Sequence, residues 1–418
     1  MVVAIPQTEF KPFLVSAPGK LILFGEHAVV YGKTAIAGSV SMRAYALVTP
    51  RSDSKVRLVL PDISVDVQFD TSKLPQLNPS ELSHPCEVEN HVGCASVPEG
   101  PGRMAVLTFV YLFGCLLAQK PTKGFTVCVR SLLPVGAGLG SSASFNVVLA
   151  AALLQLSGQL YKDGKSTADR QLINEWAFAG EQVAHGTPSG IDNSVATYGG
   201  FLAYTRGQKP QNLNSSNALR VLITNTNVPK STKALLAGVR SLRDKHPQVI
   251  DGVLDTIHSV AISAISLFES QGEDVEEKLQ DIIRLNHGML STLGVSHLSL
   301  ERIREITAAH HMASKLTGAG GGGCALTLVP SNASDETVED VKRMLAHEGF
   351  QCYQTTVGGA GVAISHCVGA QPIEEWVRSM LDRQLSLAPS TKSEDAGYGG
   401  VVSAFSILPD TAIAKLAP

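Results

Sequence analysis

The sequence predicts a mixed α/β protein of two domains and a tail, and three observations carry that prediction. Strand-like runs such as Phe125 to Arg130 alternate with helical ones such as Ser166 to His185. Of the 418 residues, 44% are hydrophobic and 17% charged, which supports a large core and argues against disorder. Two glycine-rich stretches, Pro134 to Ser144 and Thr317 to Cys324, each join regular elements. Near Val221 the texture changes to long helical segments, which predicts units at 1–224 and 225–387 and a tail at 388–418.

Composition narrows the functional classes. A formal net charge of −3 argues against nucleic acid or an acidic membrane as the main partner. The seven cysteines are scattered and odd in number, as expected of reduced thiols in an intracellular chain. Met1 to Lys11 lacks a basic segment followed by an apolar core, so no secretory signal is expected and a cytoplasmic location is. The apolar run Met104 to Ala118 falls short of the about 20 residues of a spanning helix and predicts a buried core helix.

In chain order, Phe13 to Ser16 is a short strand candidate, followed by Ala17 to Gly32, where turns alternate with β-rich runs. Lys20, Glu26 and His27 are charged or polar among apolar neighbours, as either functional groups or solvated strand ends. Gly32-Lys33-Thr34 suggests a Walker A loop, but that motif needs a glycine where His27 stands. Ile36 to Val48 and Val56 to Leu60 read as strands around a polar turn. Thr71 to Pro101 reads as an irregular insertion. Its His84, Cys86, His91 and Cys94 match no standard zinc spacing.

Phe125 to Arg130 leads through Ser131 into Pro134-Val135-Gly136-Ala137-Gly138-Leu139-Gly140-Ser141-Ser142. Glycines here let backbone approach a bulky ligand, and the helix that follows directs its free N–H groups and positive dipole end at an anion. Such a loop is a phosphate cradle, with a plain glycine-rich turn as the alternative.

Ser166 to His185 carries one apolar stripe through Leu172, Ile173, Trp176, Ala177, Gly180, Val183 and Ala184. Glu181 sits near the helix end, where the dipole disfavours an acid that has no cation; it is a metal ligand or a solvated carboxylate. Gly186 to Ser194 reads as a tight loop presenting Asp192, either a turn former or a general base. Beyond the strand Val221 to Thr224, helices are expected at Ser231 to Asp244, Val249 to Ser270, Glu273 to Thr292 and Leu298 to Lys315. The second glycine stretch then leads to a strand at Ala325 to Val329, a helix at Asp335 to His347, strands at Phe350 to Val357 and Gly361 to Ser365, and a helix at Ile373 to Leu385. Ala388 to Gly400 reads as a disordered link.

Three blocks resemble the GHMP kinase superfamily and, within it, the eukaryotic mevalonate kinase family: APGKLILFGEHAVVYG at 17–32, PVGAGLGSSAS at 134–144 and KLTGAGGGGC at 315–324. The resemblance covers roughly residues 12 to 367 and extends to Glu181, His185 to Asn193 and Asn225 to Lys233. It implies a two-domain fold, with a first domain like ribosomal protein S5 domain 2, a ferredoxin-like second domain, and a site in the cleft between them. It implies an ATP-dependent small-alcohol kinase of isoprenoid and sterol biosynthesis. Asp192 would be the base and Lys20 would hold the hydroxyl and the transferring phosphate. Lys20, Ser131, Gly136, Ala137, Gly138, Leu139, Gly140, Ser141 and Ser142 would bind ATP. Ser142 and Glu181 would hold Mg²⁺, and Glu26, His27 and Thr232 would line the substrate pocket. Asp62 stands where many members carry an asparagine near the nucleoside. The resemblance also implies a cytosolic homodimer inhibited by prenyl diphosphates. Rival readings are a sister kinase acting on phosphomevalonate or homoserine, and a non-catalytic ATP sensor. The sensor would be expected to lose Lys20, Glu181 or Asp192, and all three are present.

Overall fold

Strands β1 (Phe13–Phe24) and β2 (Ala35–Pro50) form a long antiparallel pair at the centre of the molecule. The computed structural model describes residues 10–78, 102–118, 123–134, 138–161, 163–215, 218–270, 272, 274–368 and 371–372. Both strands are rich in apolar and β-branched residues and are buried over most of their length, as suits strands at the middle of a sheet. Their register slips between Pro18 and Lys20 and again between Ile22 and Phe24. Bulges of this kind re-aim side chains, and the first of them sets the direction of Lys20.

Around this pair come β3 (Lys55–Leu60), β4 (Val65–Asp70), β5 (Phe125–Ser131), β6 (Phe201–Tyr204), β7 (Gln211–Leu213) and β8 (Leu219–Asn225). The later strands are β9 (Ala313–Leu316), β10 (Cys324–Leu328), β11 (Gln351–Val357) and β12 (Ala363–Ser365). The main path runs β4-β3-β5-β2-β11-β8-β10-β9, with β1, β6, β7 and β12 attached beside it. Only β3 and β5 pair in parallel; the other pairs in this sheet are antiparallel. The two halves of the path join in its middle, where β2 and β11 share one register pair, Val40 with Val357.

Nine α-helices cover the sheet among the described residues: α1 (Arg103–Leu116), α2 (Ser141–Leu156), α3 (Thr167–His185), α4 (Ile191–Tyr198), α5 (Thr232–Lys245), α6 (Pro247–Glu269), α7 (Val275–Thr292), α8 (Leu298–Ala308) and α9 (Asp335–His347). One core joins α1, α2 and α3 to β1, β2, β3 and β5, with Phe109, Leu112, Val148 and Leu153 wholly buried. A second core packs α6 and α7 on β8 and β10, and a third joins α6, α8 and α9 to β8, β9 and β10. By length and composition α6 is long and apolar enough to cross a membrane. Its buried Ile250, Leu254, Ile257, Ala261, Ala264 and Phe268 fall on one face and pack into these cores. Ser166, Ser231 and Ser334 cap α3, α5 and α9 through side-chain bonds to backbone N–H groups.

Two expectations are corrected. The helix expected through Lys315 ends at Ala308, and Ala313–Leu316 is a strand paired with β10. The chain reverses at His311, with φ 60°, and a ladder of sheet bonds outcompetes the helical preference of Ala313 to Leu316. The segment read as a loop around Asp192 is instead the start of α4, whose helical bonding begins with the Ser194 N–H donating to the Gly190 carbonyl at 3.3 Å. Strands β4, β6, β7 and β9 were not expected; most are short, and their pairing partners supply what their own residues do not signal. Of the insertion expected at Thr71 to Pro101, residues 71–78 are described and open with a 3₁₀ turn at Thr71–Lys73, while the rest, with His84, Cys86, His91 and Cys94, lies outside the described residues, as do Gly136, Ala137, the helix expected at 373–385 and the tail.

Candidate active site

Gly140 precedes α2 in the left-handed region, at φ 74° and ψ 31°, a conformation that suits glycine. It turns the glycine loop so that α2 begins on Ser141 and Ser142. The loop is pinned to β1 by the Lys20 N–H, which donates to the Leu139 carbonyl at 2.8 Å. Gly19 makes this approach possible: a Cβ there would sit 2.6 Å from the Leu139 oxygen and 2.3 Å from a Leu133 methyl. The stem of Lys20 then runs against Gly140, where an added Cβ would lie 2.8 Å from its Cγ.

The ammonium of Lys20 reaches Asp192 in the first turn of α4, with Nζ to Oδ1 at 3.3 Å. That turn presents free N–H groups and favours negative charge. The Lys20 side chain is 10% exposed and that of Asp192 34%, so the acid is open to solvent while the lysine is nearly buried behind it.

Ser142 donates its hydroxyl to Glu181 Oε1 at 2.8 Å and meets His185 Nε2 at 2.9 Å. Since the hydroxyl proton goes to the carboxylate, the imidazole Nε2–H is the donor in the second contact. Asn146 Nδ2 donates to the same Glu181 oxygen at 2.5 Å from inside α2. Glu181 is thus a buried carboxylate held by neutral donors, with no described cation paired to it. A hydroxyl and a carboxylate are the hard oxygen ligands that Mg²⁺ prefers, so the pair fits that ion. No group of three or more His, Cys, Asp or Glu among the described residues gathers to enclose a metal, which leaves water and phosphate oxygens to complete the shell.

Ser131 ends β5 beside the loop. Its N–H donates to Asp62 Oδ2 at 2.8 Å, and Arg130 Nε reaches Asp62 Oδ1 at 2.7 Å. Gly138 is exposed at the mouth of the loop, and Leu139 is buried beneath it. The expected pocket residues separate in space. Glu26 is sealed in the interior against Lys315 and Asn286. His27 stands at φ 60° and donates Nε2–H to the Ala319 carbonyl at 2.8 Å, which leaves Nδ1 bare and without a partner. Burial lowers its pKa and keeps the ring neutral. Thr232 is exposed on the first turn of α5.

Three contributors were not singled out from sequence. Lys230 lies where the two glycine stretches meet: Cβ atoms added at Gly138, Gly318 and Gly323 would fall 4.0, 3.9 and 2.2 Å from its Nζ. Burial lowers its pKa, and the charge of Lys20 pushes the same way. An ammonium so placed, with no described carboxylate paired to it, calls for an anion. Asn146 was legible as the one amide in the apolar run Phe145 to Leu154. His185 carried no signal beyond its place at the end of α3. Gly32-Lys33-Thr34 forms no phosphate loop; Lys33 pairs with Asp255.

Known proteins resemble this chain in sequence and in fold. The family model for the GHMP kinases N terminal domain matches residues 106–200, and that for the GHMP kinases C terminal matches 273–351. The chain is 40% identical to human mevalonate kinase over 392 residues, covering 88% of this chain and 98% of the human protein. It is 36% identical to the Arabidopsis thaliana mevalonate kinase over 382 residues, covering 84% and 98%. Among solved structures, Methanococcus jannaschii mevalonate kinase superposes with a TM-score of 0.65 at 23% identity, over 85% of this chain and 100% of that one. The L. major mevalonate kinase solved with R-mevalonate gives 0.64 at 22%, over 85% and 99%. The structural likenesses speak for the fold, and the sequence identities for the family. This chain belongs to the mevalonate kinase family of the GHMP kinases.

Proposed function

We propose that this chain transfers the γ-phosphoryl group of ATP to the C5 hydroxyl of (R)-mevalonate, giving 5-phosphomevalonate and ADP, as a step of isoprenoid and sterol biosynthesis. The single observation that carries the chemistry is the Lys20–Asp192 pair, at 3.3 Å, beside the loop that ends in Ser142. The names of the relatives supply the substrate, and the L. major structure was solved with R-mevalonate.

In this reading the Asp192 carboxylate accepts the proton of the C5 hydroxyl. The freed oxygen attacks the γ-phosphorus; the new P–O bond forms as the bond to the β–γ bridging oxygen breaks, and ADP leaves with that electron pair. Lys20 holds the hydroxyl and the transferring phosphate, and its charge favours the alkoxide. The N–H groups at the start of α2 face the phosphates. Lys230 supplies a second ammonium for an anionic group of either substrate. Ser142 and Glu181 would hold Mg²⁺, with Asn146 fixing the carboxylate. When bound, the ion neutralises charge on the ATP phosphates.

Family membership supports three further readings that we also propose: a cytoplasmic location, a homodimer, and inhibition by prenyl diphosphates at the ATP site. The test of the main reading is ADP release with mevalonate, phosphomevalonate and homoserine in turn. Turnover with mevalonate alone supports it. Turnover with another alcohol, and none with mevalonate, replaces the substrate; none with any of them removes the kinase.

A further inference from the structure

Glu26 has no route to a ligand. Its side chain is 0% exposed, as is that of Lys315. Oε1 is bonded to the Lys315 ammonium and Oε2 accepts from Asn286 Nδ2 at 3.3 Å. Lys315 comes from β9, Asn286 from α7 and Glu26 from the turn after β1, so three distant segments converge on one carboxylate. The Phe24 ring lies 5.8 Å from the Lys315 ammonium. Asn286 is itself 0% exposed.

What surrounds this cluster is the second glycine loop. Two residues beyond Lys315, Thr317 Oγ1 donates to the Ile22 carbonyl at 2.8 Å. Two further on, the Ala319 carbonyl takes the His27 Nε2–H. Directly after Lys315, the Leu316 N–H donates to His287 Nδ1 at 3.1 Å, and His287 neighbours Asn286 on α7. His27, next to Glu26, holds a backbone conformation at φ 60° that side-chain-bearing residues rarely adopt. Such a residue persists only where its surroundings fix it from several sides. The same loop supplies Gly318 and Gly323, which pack on Lys230.

We propose that Glu26, Lys315 and Asn286 form a buried latch that positions the second glycine loop and His27, and that Glu26 acts through this latch and does not bind substrate. The three are positioning residues. The latch joins the turn after β1 to β9 by charge pairing, and so sets where His27 and Lys230 stand relative to Lys20 and Asp192. Removing one partner leaves the other charge buried and unpaired, whereas neutralising both removes that cost. The inference rests on the mevalonate kinase reading above.

The test uses full-length Glu26→Gln, Lys315→Met, the double variant Glu26→Gln/Lys315→Met, and Asn286→Ala. Steady-state kcat and KM are measured for mevalonate and ATP alongside Tm. Each charge-removing single variant is expected to lose about tenfold or more in kcat/KM for mevalonate, through KM, and the double variant to recover most of that loss. Asn286→Ala keeps the ion pair and is expected to raise KM for mevalonate about threefold with kcat held. A double variant as impaired as Glu26→Gln, beside a Lys315→Met with normal KM, makes Glu26 a substrate ligand and overturns the proposal. So does a set of variants with lower Tm and unaltered kinetics. Where the single charge variants do not fold, the double variant and Asn286→Ala decide by the same criteria. Wild-type protein inactive on mevalonate removes the parent reading; active wild type without this pattern removes the latch alone.

Discussion

The ammonium of Lys20 stands 3.3 Å from the carboxylate of Asp192, although one belongs to the second segment of the first strand and the other to the first turn of α4. A bulge in β1 and the start of a short helix converge on that distance. In the proposed reaction the pair would join an acceptor for the hydroxyl proton to a cation that stabilises the alkoxide left behind.

Replacing Asp192 by Asn keeps the shape and removes the proton acceptor. Single-turnover and steady-state assays should show kcat reduced by about 10²–10⁴-fold, with KM for ATP near the wild-type value. Equal turnover in the two proteins would exclude Asp192 as the base.

Gly19→Ala puts a methyl group 2.6 Å from the Leu139 carbonyl and 2.3 Å from Leu133. Overpacking of this kind costs about 1–3 kcal/mol and displaces the glycine loop from β1. A lower urea midpoint should accompany a raised KM for ATP. A normal KM would mean that the loop keeps its place without the Lys20–Leu139 bond.

Lys230→Met removes the ammonium between the glycine stretches at little change in length. Loss of one such charge from a phosphoryl-transfer site should lower kcat/KM by about 10²-fold or more. The same variant should show a normal Tm, because no described carboxylate loses a partner. Wild-type kinetics would place Lys230 outside the site.

Asn146 donates to Glu181 from within α2 at 2.5 Å. Asn146→Leu should weaken metal affinity by about 10–100-fold, read as Mn²⁺ binding by paramagnetic resonance in the presence of ADP. Chelation of Mg²⁺ should abolish turnover of the wild type. Unchanged Mn²⁺ affinity in the variant, or turnover in excess chelator, would count against Ser142 and Glu181 as the metal pair.

Stability should fall as the protein is acidified through pH 6.5. Burial lowers the pKa of both His27 and His287 below the ordinary imidazole value of 6.5, so the unfolded chain binds more protons in the window just beneath it. Above that value both rings are neutral in either state and their full stability is retained. Burial pushes the Glu301 carboxyl up, but hydrogen bonds from Ser296, His287 and Arg304 together outweigh it and hold the pKa at about 2, so its contribution is lost only below the ordinary carboxyl value of 4.5. Urea midpoints should be level above about pH 7.5 and decline towards about pH 5.5. A flat profile would show that these imidazoles titrate alike in both states.

Much of the fold was legible. The alternation of Phe125 to Arg130 gave β5, and the stripe on Ser166 to His185 gave α3 with its serine cap. The buried run Met104 to Ala118 became α1, nearly sealed from solvent. Ala313 to Leu316 misled, because Ala-Ser-Lys-Leu after a helix carries no local sign of the strand that will pair with it. Asp192 was legible as a chemical group but not as part of α4, since Gly186, Pro188 and Gly190 before it suggest only a turn. Glu26 was singled out for being charged among apolar residues; its partner, Lys315, was hidden inside what looked like a helix.

By itself the sequence determined the elements with strong periodicity, the glycine loop that opens α2 and the short set of charged residues among apolar neighbours. These follow from backbone freedom at glycine and from the repeat of a helix or strand, which are properties of adjacent residues. Tertiary structure alone decided that Lys20 meets Asp192, that Lys230 rests between the two glycine stretches, and that Glu26 turns inward to Lys315. Those choices depend on strand register and helix packing between segments far apart in the chain, and no local pattern of side chains encodes a distant partner.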